Sequence, residues 1–569
     1  MNVARYVPIL SWLPRYDRSW LPFDAIAGLT LWGLVVPEGM AYAGIAGLPP
    51  QAGLYTLVAS LLIYALLGTS RHLSVGGTSA TAALLASSVA AALVASASAT
   101  ASDPQTYATY AAAFVLVTGL VFLVAGIARM GFITQFLSKP VMDGFVVGLA
   151  IFVVVGQLNK LFGVEKTEGN TVEKLLGIIR ELPQANLATV AVGAVALAAL
   201  ALLPRGSRRI PAGLAVLFGA IILSAALGLE DRGVAVVGAL PAGLPVPAIP
   251  SVPIADLLGM VLPAIGVLLV AFSESLGVAH EFAEKHGYEV DPDQELNAHA
   301  VVNLASGLFG GMIAAGGMSS SAVKEGAGAR SQVSNLVAWA ATIVTLLFLT
   351  PLFTSLPEAV LAALIIHAVW HILSSRKLLR LRREAPLEVW FGVLALAGVL
   401  FIDVLQGMMI GLLASLAFVV YRSSRPHLSS LGRVPGAPGA YSDLARHPED
   451  VPVPGVLIAR LDAPMYYANA LTARDRLKAM IREATPPPSA VVLDAEGQDD
   501  LDITSAEVLK GLFTELRASG IEIYVANVHA PVLERARETG VLEAADHVLP
   551  TVELAVRAAE EKGRGGRSP

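Results

Sequence analysis

The feature that most limits the fold of this chain is a nearly continuous series of apolar stretches between about Asp24 and Tyr421. Stretches such as 107–128 and 210–229 are long enough to cross a hydrocarbon core about 30 Å thick. Only 15% of the 569 residues are charged, whereas a soluble domain usually carries about 25%. The sequence therefore predicts a polytopic α-helical membrane protein.

The apolar stretches divide into about 14 predicted membrane segments. These are 25–46, 51–68, 73–95, 107–128, 142–163, 187–203, 210–229, 254–281, 296–315, 318–330, 332–353, 356–373, 386–402 and 404–421. Loops on the cytoplasmic side of a membrane are enriched in basic residues, which gives an independent test of this count. With the N-terminus inside, the expected cytoplasmic loops carry residues such as Arg71, Arg129, Arg209 and Arg382, and the expected external loops carry almost none apart from the mixed-charge loop 160–181. Both termini are therefore predicted to be cytoplasmic.

Two short motifs, 240 positions apart, nearly repeat each other inside apolar sequence: residues 76–82 (GGTSATA) and 316–322 (GGMSSSA). One interpretation is a pair of small-residue faces for helix packing. We favour another, because matching glycine-interrupted segments in the two halves of a membrane protein are typical of a transporter's substrate site. Each motif is then an extended approach followed by a half-helix, whose N-terminal N–H groups favour an anion.

The motifs divide the membrane region into two predicted repeats, about 24–230 and about 250–425. Seven segments in each half is an odd number, so the second half is inverted relative to the first. Inverted repeats of this kind are a transporter architecture, with substrate bound where the broken helices of the halves meet.

Two glutamates interrupt equivalent apolar segments of the halves. Glu38 lies 38 residues before Gly76, and Glu274 lies 42 residues before Gly316. A desolvated carboxyl group favours its neutral form, so it can take up and lose a proton near neutrality. Both are candidate proton-coupling groups, Glu274 ahead of Glu38. The alternative is a carboxylate held permanently in a helix-packing hydrogen bond.

Lys324 follows the second motif and has two equally supported interpretations. It could add positive charge to an anion pathway, or it could extend along the bilayer to the cytoplasmic surface. The histidines show no metal-binding spacing and the chain has no cysteine, so no metal or cofactor is expected.

The composition after Tyr421 becomes that of a soluble domain. A proline- and glycine-rich linker is predicted at 426–455, followed by a small α/β domain at 456–562 and a disordered tail at 563–569. Strands alternating with helices indicate a mostly parallel sheet. At a strand-to-helix turn, Thr504 or Ser505 is predicted to be the helix N-cap. Thr504 is also a candidate regulatory site for nucleotide or phosphate.

Several long motifs in this chain resemble the SulP (solute carrier 26) anion transporters. They are residues 36–43 (VPEGMAYA), 274–279 (ESLGVA), 282–296 (FAEKHGYEVDPDQEL) and 319–332 (SSSAVKEGAGARSQ). The C-terminal part resembles the STAS domain of that family. The resemblance implies a cytoplasmic arm at 1–23, a transport domain at 24–425 in a 7+7 inverted repeat, a homodimer, and elevator-like alternating access.

The resemblance also implies the residues of the site. Substrate would contact Glu38, Tyr42, Gly77, Thr78, Ser319 and Ser320, with Glu274 and Glu38 coupling a proton. Many relatives carry arginine at the position of Ser320 and glutamine at that of Glu38. Losing a fixed cation and gaining an acid favours proton-coupled uptake of a small anion. The resemblance to bacterial members of the family implies a dicarboxylate such as fumarate as that anion, taken up across the inner membrane of a bacterium.

Other functions stay open at this stage. They are sodium-coupled transport of bicarbonate or sulfate, anion exchange, an anion channel, and a sensor that acts through the STAS domain. Besides the anion, the proton and the lipid bilayer, soluble proteins at the STAS domain are possible partners. Nucleic acid is not expected as a partner, and neither catalytic residues nor enzymatic activity are expected.

Overall fold

The computed structural model describes residues 7–96, 103–132, 138–165, 167, 169–206, 212–241, 243–373 and 387–565. The chain forms two compact units, Met1–Ser415 and Leu416–Pro569. The boundary lies inside the last predicted membrane segment, ahead of the predicted linker.

The first unit is helical. Its first half contains the helices α1 Leu21–Ile45, α2 Gln51–Leu67, α3 Ser79–Ala95, α4 Pro104–Ile127, α5 Lys139–Phe162, α6 Thr171–Glu181, α7 Leu187–Gly206 and α8 Ala212–Leu227. Its second half contains α9 Ile254–His286, α10 Pro292–Leu308, α11 Met318–Gly326, α12 Val333–Val344, α13 Glu358–Leu373 and α14 Val389–Phe401, and the boundary to the second unit falls within α15 Val404–Ser423. A short helix, Ile9–Trp12, precedes α1.

The predicted count of 14 spans is not confirmed, although each predicted segment contains helix. Among the described residues, six helical stretches are long and apolar enough to cross a membrane, or seven if the bent pair α6–α7 is one span. Several others are too short, because 17 residues of α-helix extend only about 25 Å. Helix α6 was not predicted, and it meets α7 at a bend of 119°.

Two three-residue strands join the halves of the first unit. Strand β1 (Val75–Gly77) pairs antiparallel with β2 (Ala314–Gly316), and Gly76 lies opposite Ala315. Helix α3 follows β1, and α11 follows β2. This is the predicted extended approach and half-helix in both motifs, and antiparallel pairing is what two inverted halves produce at their shared axis.

The helices of the first unit pack as two groups. Group one consists of α1–α4 and α9–α12, which pack around the β1–β2 pair. Group two consists of α5–α8, α13 and α14. Contacts between the groups are made mainly by α1 against α8 and α13, and by α3 against α5.

The second unit contains a six-stranded sheet in the order β4-β3-β5-β6-β7-β8. Its strands are β3 Leu428–Arg433, β4 Tyr441–Asp443, β5 Val456–Leu461, β6 Ala490–Asp494, β7 Glu522–Ala526 and β8 His547–Leu549. Strands β5 to β8 are parallel. The predicted α/β domain with a mostly parallel sheet is therefore confirmed.

Helices cover both faces of this sheet. The cluster that contains Leu457 and Ile523 lies on one face, and the cluster of Ile458, Tyr524 and Val556 on the other. The helices are α16 Ala470–Glu483, α17 Ile503–Ala518, α18 Ala530–Glu538, the short helix Val541–Ala544, and α19 Val552–Gly565.

Two predicted boundaries of this unit are wrong. Strands β3 and β4 lie within the predicted linker 426–455, because its Pro-Gly pairs form the turn of a hairpin, with Gly436 and Gly439 at positive φ. Helix α19 extends to Gly565, three residues into the predicted tail, and 566–569 lie outside the described residues.

Candidate anion site

The N-termini of the two half-helices differ in how they are capped. The Thr78 hydroxyl accepts the Thr81 N–H at 3.2 Å, and the Thr81 hydroxyl accepts the Thr78 N–H at 3.0 Å, which is a capping box. Helix α11 has Gly317 at its N-cap and, within the described residues, no side chain caps it. Its first-turn N–H groups are therefore available to an anion.

The two N-termini lie close together. A Cβ atom on Gly317 would lie 3.9 Å from the Thr78 methyl group and 2.7 Å from the Ser320 hydroxyl. Ser319 is exposed, whereas Ser320 and Thr78 are buried. Gly77 lies against the side chain of Met312, which would lie 3.0 Å from an added Cβ atom. The structure thus brings four of the six predicted substrate residues to one place, namely Gly77, Thr78, Ser319 and Ser320.

Glu274 lies on α9 beside strand β2. The hydroxyl of its neighbour Ser275 accepts the Gly316 N–H at 2.6 Å and donates to the Ala271 carbonyl, also at 2.6 Å. The Oε2 atom of Glu274 is buried and, among the described residues, has no hydrogen-bond partner. A buried carboxyl oxygen without a partner strongly favours the neutral acid or a bound ligand.

Glu38 and Tyr42 lie one turn apart on the same face of α1. Tyr42 is buried and interacts electrostatically with the carboxylates of both Glu38 and Glu274. Helix α1 crosses α2 very closely beside Glu38, since a Cβ atom on Gly53 would lie 1.9 Å from the Gly39 carbonyl oxygen. The structure therefore places both predicted coupling acids around Tyr42.

Side chains that were not predicted as functional hold the approach to β2 in an extended form. Asn303 donates to the Ala314 carbonyl at 3.1 Å and accepts its N–H at 2.8 Å, as a neighbouring strand would. Thr56 accepts the Met312 N–H at 2.7 Å. The available signal was their occurrence in apolar helices, because polar side chains are energetically costly in a bilayer unless they have hydrogen-bond partners.

The approach to β1 is held in the same way. Buried Glu295 accepts hydrogen bonds from the Tyr64 hydroxyl at 2.9 Å and from the N–H and hydroxyl of Thr69, at 2.6 Å and 2.7 Å. Glu295 lies within the motif 282–296, but its partners are more than 220 residues away in the chain. Sequence spacing alone does not reveal such a contact.

Two predictions about polar residues are wrong. Lys324 does not extend along the bilayer to the cytoplasmic surface, because its side chain is fully buried; that its charge acts on an anion stays a prediction. The N-cap of α17 is Asp502, which accepts the Ser505 N–H at 2.9 Å, and not Thr504 or Ser505. Thr504 itself is exposed and belongs to the second unit. Among the described residues, no cluster of three or more histidine, aspartate or glutamate side chains is arranged to hold a metal ion.

Comparison with known proteins places the chain in a family. Residues 21–395 match the sulfate permease family, and residues 447–555 match the STAS domain. A probable sulfate transporter of Mycobacterium tuberculosis strain H37Rv is 33% identical over 560 residues, covering 98% of this chain and 99% of that protein. Human solute carrier family 26 member 6 is 35% identical over 499 residues, which is 84% of this chain and 65% of that protein.

The chain therefore belongs to the sulfate permease family, the SulP or solute carrier 26 anion transporters, and carries a C-terminal STAS domain. This confirms the predicted resemblance, and it makes the chain a membrane transporter of anions.

Solved structures share the fold. The murine solute carrier 26 family member A9 anion transporter in its inward-facing state has a TM-score of 0.90 at 25% identity, covering 98% of this chain and 94% of that chain. The transmembrane domain of the cyanobacterial bicarbonate transporter BicA has a TM-score of 0.60 at 22% identity, covering 70% of this chain and 98% of that chain.

Proposed function

We propose that this protein is a proton-coupled anion symporter. The observation that carries the proposal is the buried Oε2 atom of Glu274, which has no partner among the described residues and lies next to the Ser275–Gly316 contact. An ionised carboxylate at this position would repel an anion at the N-terminus of α11. Protonation removes that repulsion, so anion and proton would bind together.

The anion of this proposal is divalent. The sequence favours a dicarboxylate such as fumarate, and the relative described as a probable sulfate transporter supports sulfate as a second candidate. Both carry two negative charges, which one proton on Glu274 would partly offset. Sodium-coupled uptake of bicarbonate or sulfate is the alternative, since the hydroxyls of Thr78, Ser273 and Ser319 could coordinate a sodium ion instead.

An elevator-like movement would expose the site to each side of the membrane in turn. The site lies within group one, where the β1–β2 pair joins both half-helices into a single body. Group two would then be the static frame, and the α1–α8, α1–α13 and α3–α5 contacts the sliding surface.

The remaining parts of the proposal concern the assembled protein. We place it as a homodimer in the bacterial inner membrane, with both termini in the cytoplasm. Glu38, Tyr42, Gly77, Thr78, Ser319 and Ser320 would contact the anion, and Thr504 is an exposed candidate for modification or for contacts with soluble partners.

Uptake by proteoliposomes tests the function. Labelled fumarate and sulfate are offered separately, each with an inward proton gradient, an inward sodium gradient or no gradient, and bicarbonate serves as a competitor. Accumulation driven by the proton gradient alone supports the proposal. Accumulation that follows only the sodium gradient selects the alternative, and exchange that needs an internal anion contradicts symport.

A further inference from the structure

Lys324 is a buried lysine in the transport unit. It lies on α11, and its side chain has 0% exposure. Its ammonium group donates to the Leu73 carbonyl at 3.1 Å and to the Asn335 side-chain oxygen at 2.9 Å. Among the described residues, no carboxylate lies within ion-pair distance of it. Transfer of an unpaired charge out of water is costly, so this placement needs a reason.

The acid with which Lys324 interacts electrostatically is Asp24 on α1. That carboxylate is already surrounded by donors. It accepts the N–H groups of Arg330 and Ser331, at 2.7 Å and 3.1 Å, and the hydroxyls of Ser331 and Tyr16, at 2.7 Å and 3.0 Å. These bonds stabilise the Asp24 carboxylate without an ion pair to the lysine, so Asp24 offsets the charge of Lys324 only from beyond ion-pair distance.

The ammonium group lies near the open end of α11. Long side chains on a helix point back toward its N-terminus, and Lys324 is one turn after Ser320. Its acceptor Leu73 immediately precedes Ser74, which contacts the first turn of α11 twice. The Ser74 N–H donates to the Ser321 hydroxyl at 2.9 Å, and the Gly317 N–H donates to the Ser74 carbonyl at 3.1 Å. The path from the ammonium group through Leu73 and Ser74 to Gly317 is two hydrogen bonds and one residue of extended chain, so the ammonium group is on the order of 10 Å or less from the start of α11.

We propose that Lys324 is the fixed positive charge that sets the anion affinity of this site and its preference for divalent over monovalent anions. The proposal rests on the proposed anion site at the N-terminus of α11. At about 10 Å and an effective dielectric constant near 20, one charge strengthens binding of a monovalent anion on the order of tenfold. A divalent anion gains the square of that factor, and Asp24 reduces both.

The structure also allows a purely mechanical role, in which Lys324 only holds the Leu73 carbonyl. Gln332 and Asn335 donate to the same carbonyl oxygen, at 2.9 Å and 3.2 Å, so Lys324 is one of three donors there. A mechanical role predicts equal losses for anions of any charge. An electrostatic role predicts losses that grow with the charge of the anion.

The test measures half-inhibitory concentrations of sulfate and of bicarbonate against labelled substrate uptake in proteoliposomes, at one pH and without a gradient. Lys324→Gln keeps an N–H donor and removes the charge, and Lys324→Arg keeps the charge. The matched control is Lys285→Gln, which removes a surface lysine paired with Glu325. We expect Lys324→Gln to reduce the preference for sulfate over bicarbonate about fivefold to tenfold, and the other two variants to retain it.

The proposal is overturned if Lys324→Gln raises the half-inhibitory concentrations of sulfate and bicarbonate by the same factor, or leaves their ratio unchanged. Loss of the preference for sulfate in a folded Lys324→Arg variant also overturns it. If Lys324→Gln is not recovered as monodisperse protein, the double variant with Asp24→Asn removes both buried charges. Its preference for sulfate should fall in the same direction but by less, because the opposing charge of Asp24 is removed as well; an unchanged preference overturns the proposal. Absence of anion uptake by the unchanged protein would instead contradict the proposed function itself.

Discussion

At the scale of single residues, the two half-helices offer an anion different environments. The capping box of Thr78 and Thr81 satisfies part of the first turn of α3, whereas no side chain in the described part of the chain caps α11, which follows Gly317. Glu274 is joined to the α11 side through Ser275 and Gly316. Anion binding and the protonation of Glu274 should therefore both occur near the N-terminus of α11. Helix α3 contributes its threonine hydroxyls and the positive end of its dipole.

Replacement of Glu274 tests the coupling at this scale. Glu274→Gln mimics the protonated acid, so we expect substrate uptake to continue. An inward proton gradient, which should stimulate uptake by the unchanged protein several-fold, should have no effect on the variant. Glu281→Gln, on the same helix but exposed, is the matched control and should respond like the unchanged protein. A Glu274→Gln variant that still accumulates substrate with the proton gradient would show that another group carries the proton.

The second unit offers a pH prediction at the residue scale. Burial alone would raise the pKa of Asp462, but hydrogen bonds from Ser429, His427 and Arg460 outweigh it and lower the pKa to about 2. The unfolded chain has a pKa near 3.9 at this residue. The stability supplied by the carboxylate is therefore fully present above about pH 4 and is lost as the pH falls toward 2.

We expect Asp462→Asn to lower the free energy of unfolding of residues 424–569 by about 1 kcal/mol at pH 7. The cost is no larger because Asp462 and its partner Arg460 are partly exposed, so that solvent screens their charges. The difference from the unchanged fragment should disappear near pH 2. Urea unfolding followed by circular dichroism at pH 7, 4 and 2 measures this, and a difference independent of pH would contradict the assignment.

The sequence singled out residues that the structure brings together around the two half-helices, but it did not predict what holds them there. The two glycine motifs, Glu38 and Glu274 were visible because glycines and acids are unusual in apolar segments. The burial of Lys324 was not visible, since its partners Leu73 and Asn335 become neighbours only in the folded protein. Asp502 was overlooked as a cap because the threonine and serine that follow it are also good caps.

At the scale of elements, close helix crossings determine where Glu38 lies. Helices α1 and α2 meet at Gly39 and Gly53, and a Cβ atom on Gly53 would overlap the Gly39 carbonyl group. In the second unit, the sequence predicted the parallel strands, whose apolar runs are continuous. It missed the β3–β4 hairpin because a pair of Pro-Gly steps has the composition of a linker.

Gly53→Ala tests the crossing. Its methyl group would lie 1.9 Å from the Gly39 carbonyl oxygen, so α1 and α2 must separate, at a cost of about 1–3 kcal/mol. We expect a lower apparent melting temperature by size-exclusion chromatography and reduced uptake, because Glu38 shifts with α1. Gly277→Ala on α9 is the control, since open space surrounds that position. Equal behaviour of the two variants would contradict the role of the crossing.

At the scale of the whole molecule, the division into two helix groups predicts a relative motion. Gly33 on α1 and Leu214 on α8 face each other across the groups, with the Leu214 Cγ atom 2.8 Å from a Cβ atom on Gly33. The natural chain has no cysteine, so a Gly33→Cys, Leu214→Cys pair would be its only source of a disulfide.

We expect oxidation of this pair to reduce uptake to background, and reduction to restore it, because the disulfide joins the moving group to the frame. Mass spectrometry establishes the cross-link, and each single cysteine variant is a control for oxidation damage. Full uptake by the cross-linked protein would exclude a movement of group one along α8.

The β1–β2 pair also has a consequence for biosynthesis. Strand β1 leaves the ribosome about 240 residues before its partner, a delay of roughly 12–50 s at 5–20 residues per second. During that time its backbone groups lack their ladder partners in a membrane that offers none. The β1 segment must therefore remain in the insertion machinery or at the lipid headgroups until β2 has been synthesised. Translation that stops before Ala314 would leave a half-protein that cannot complete its interior and is exposed to membrane proteases.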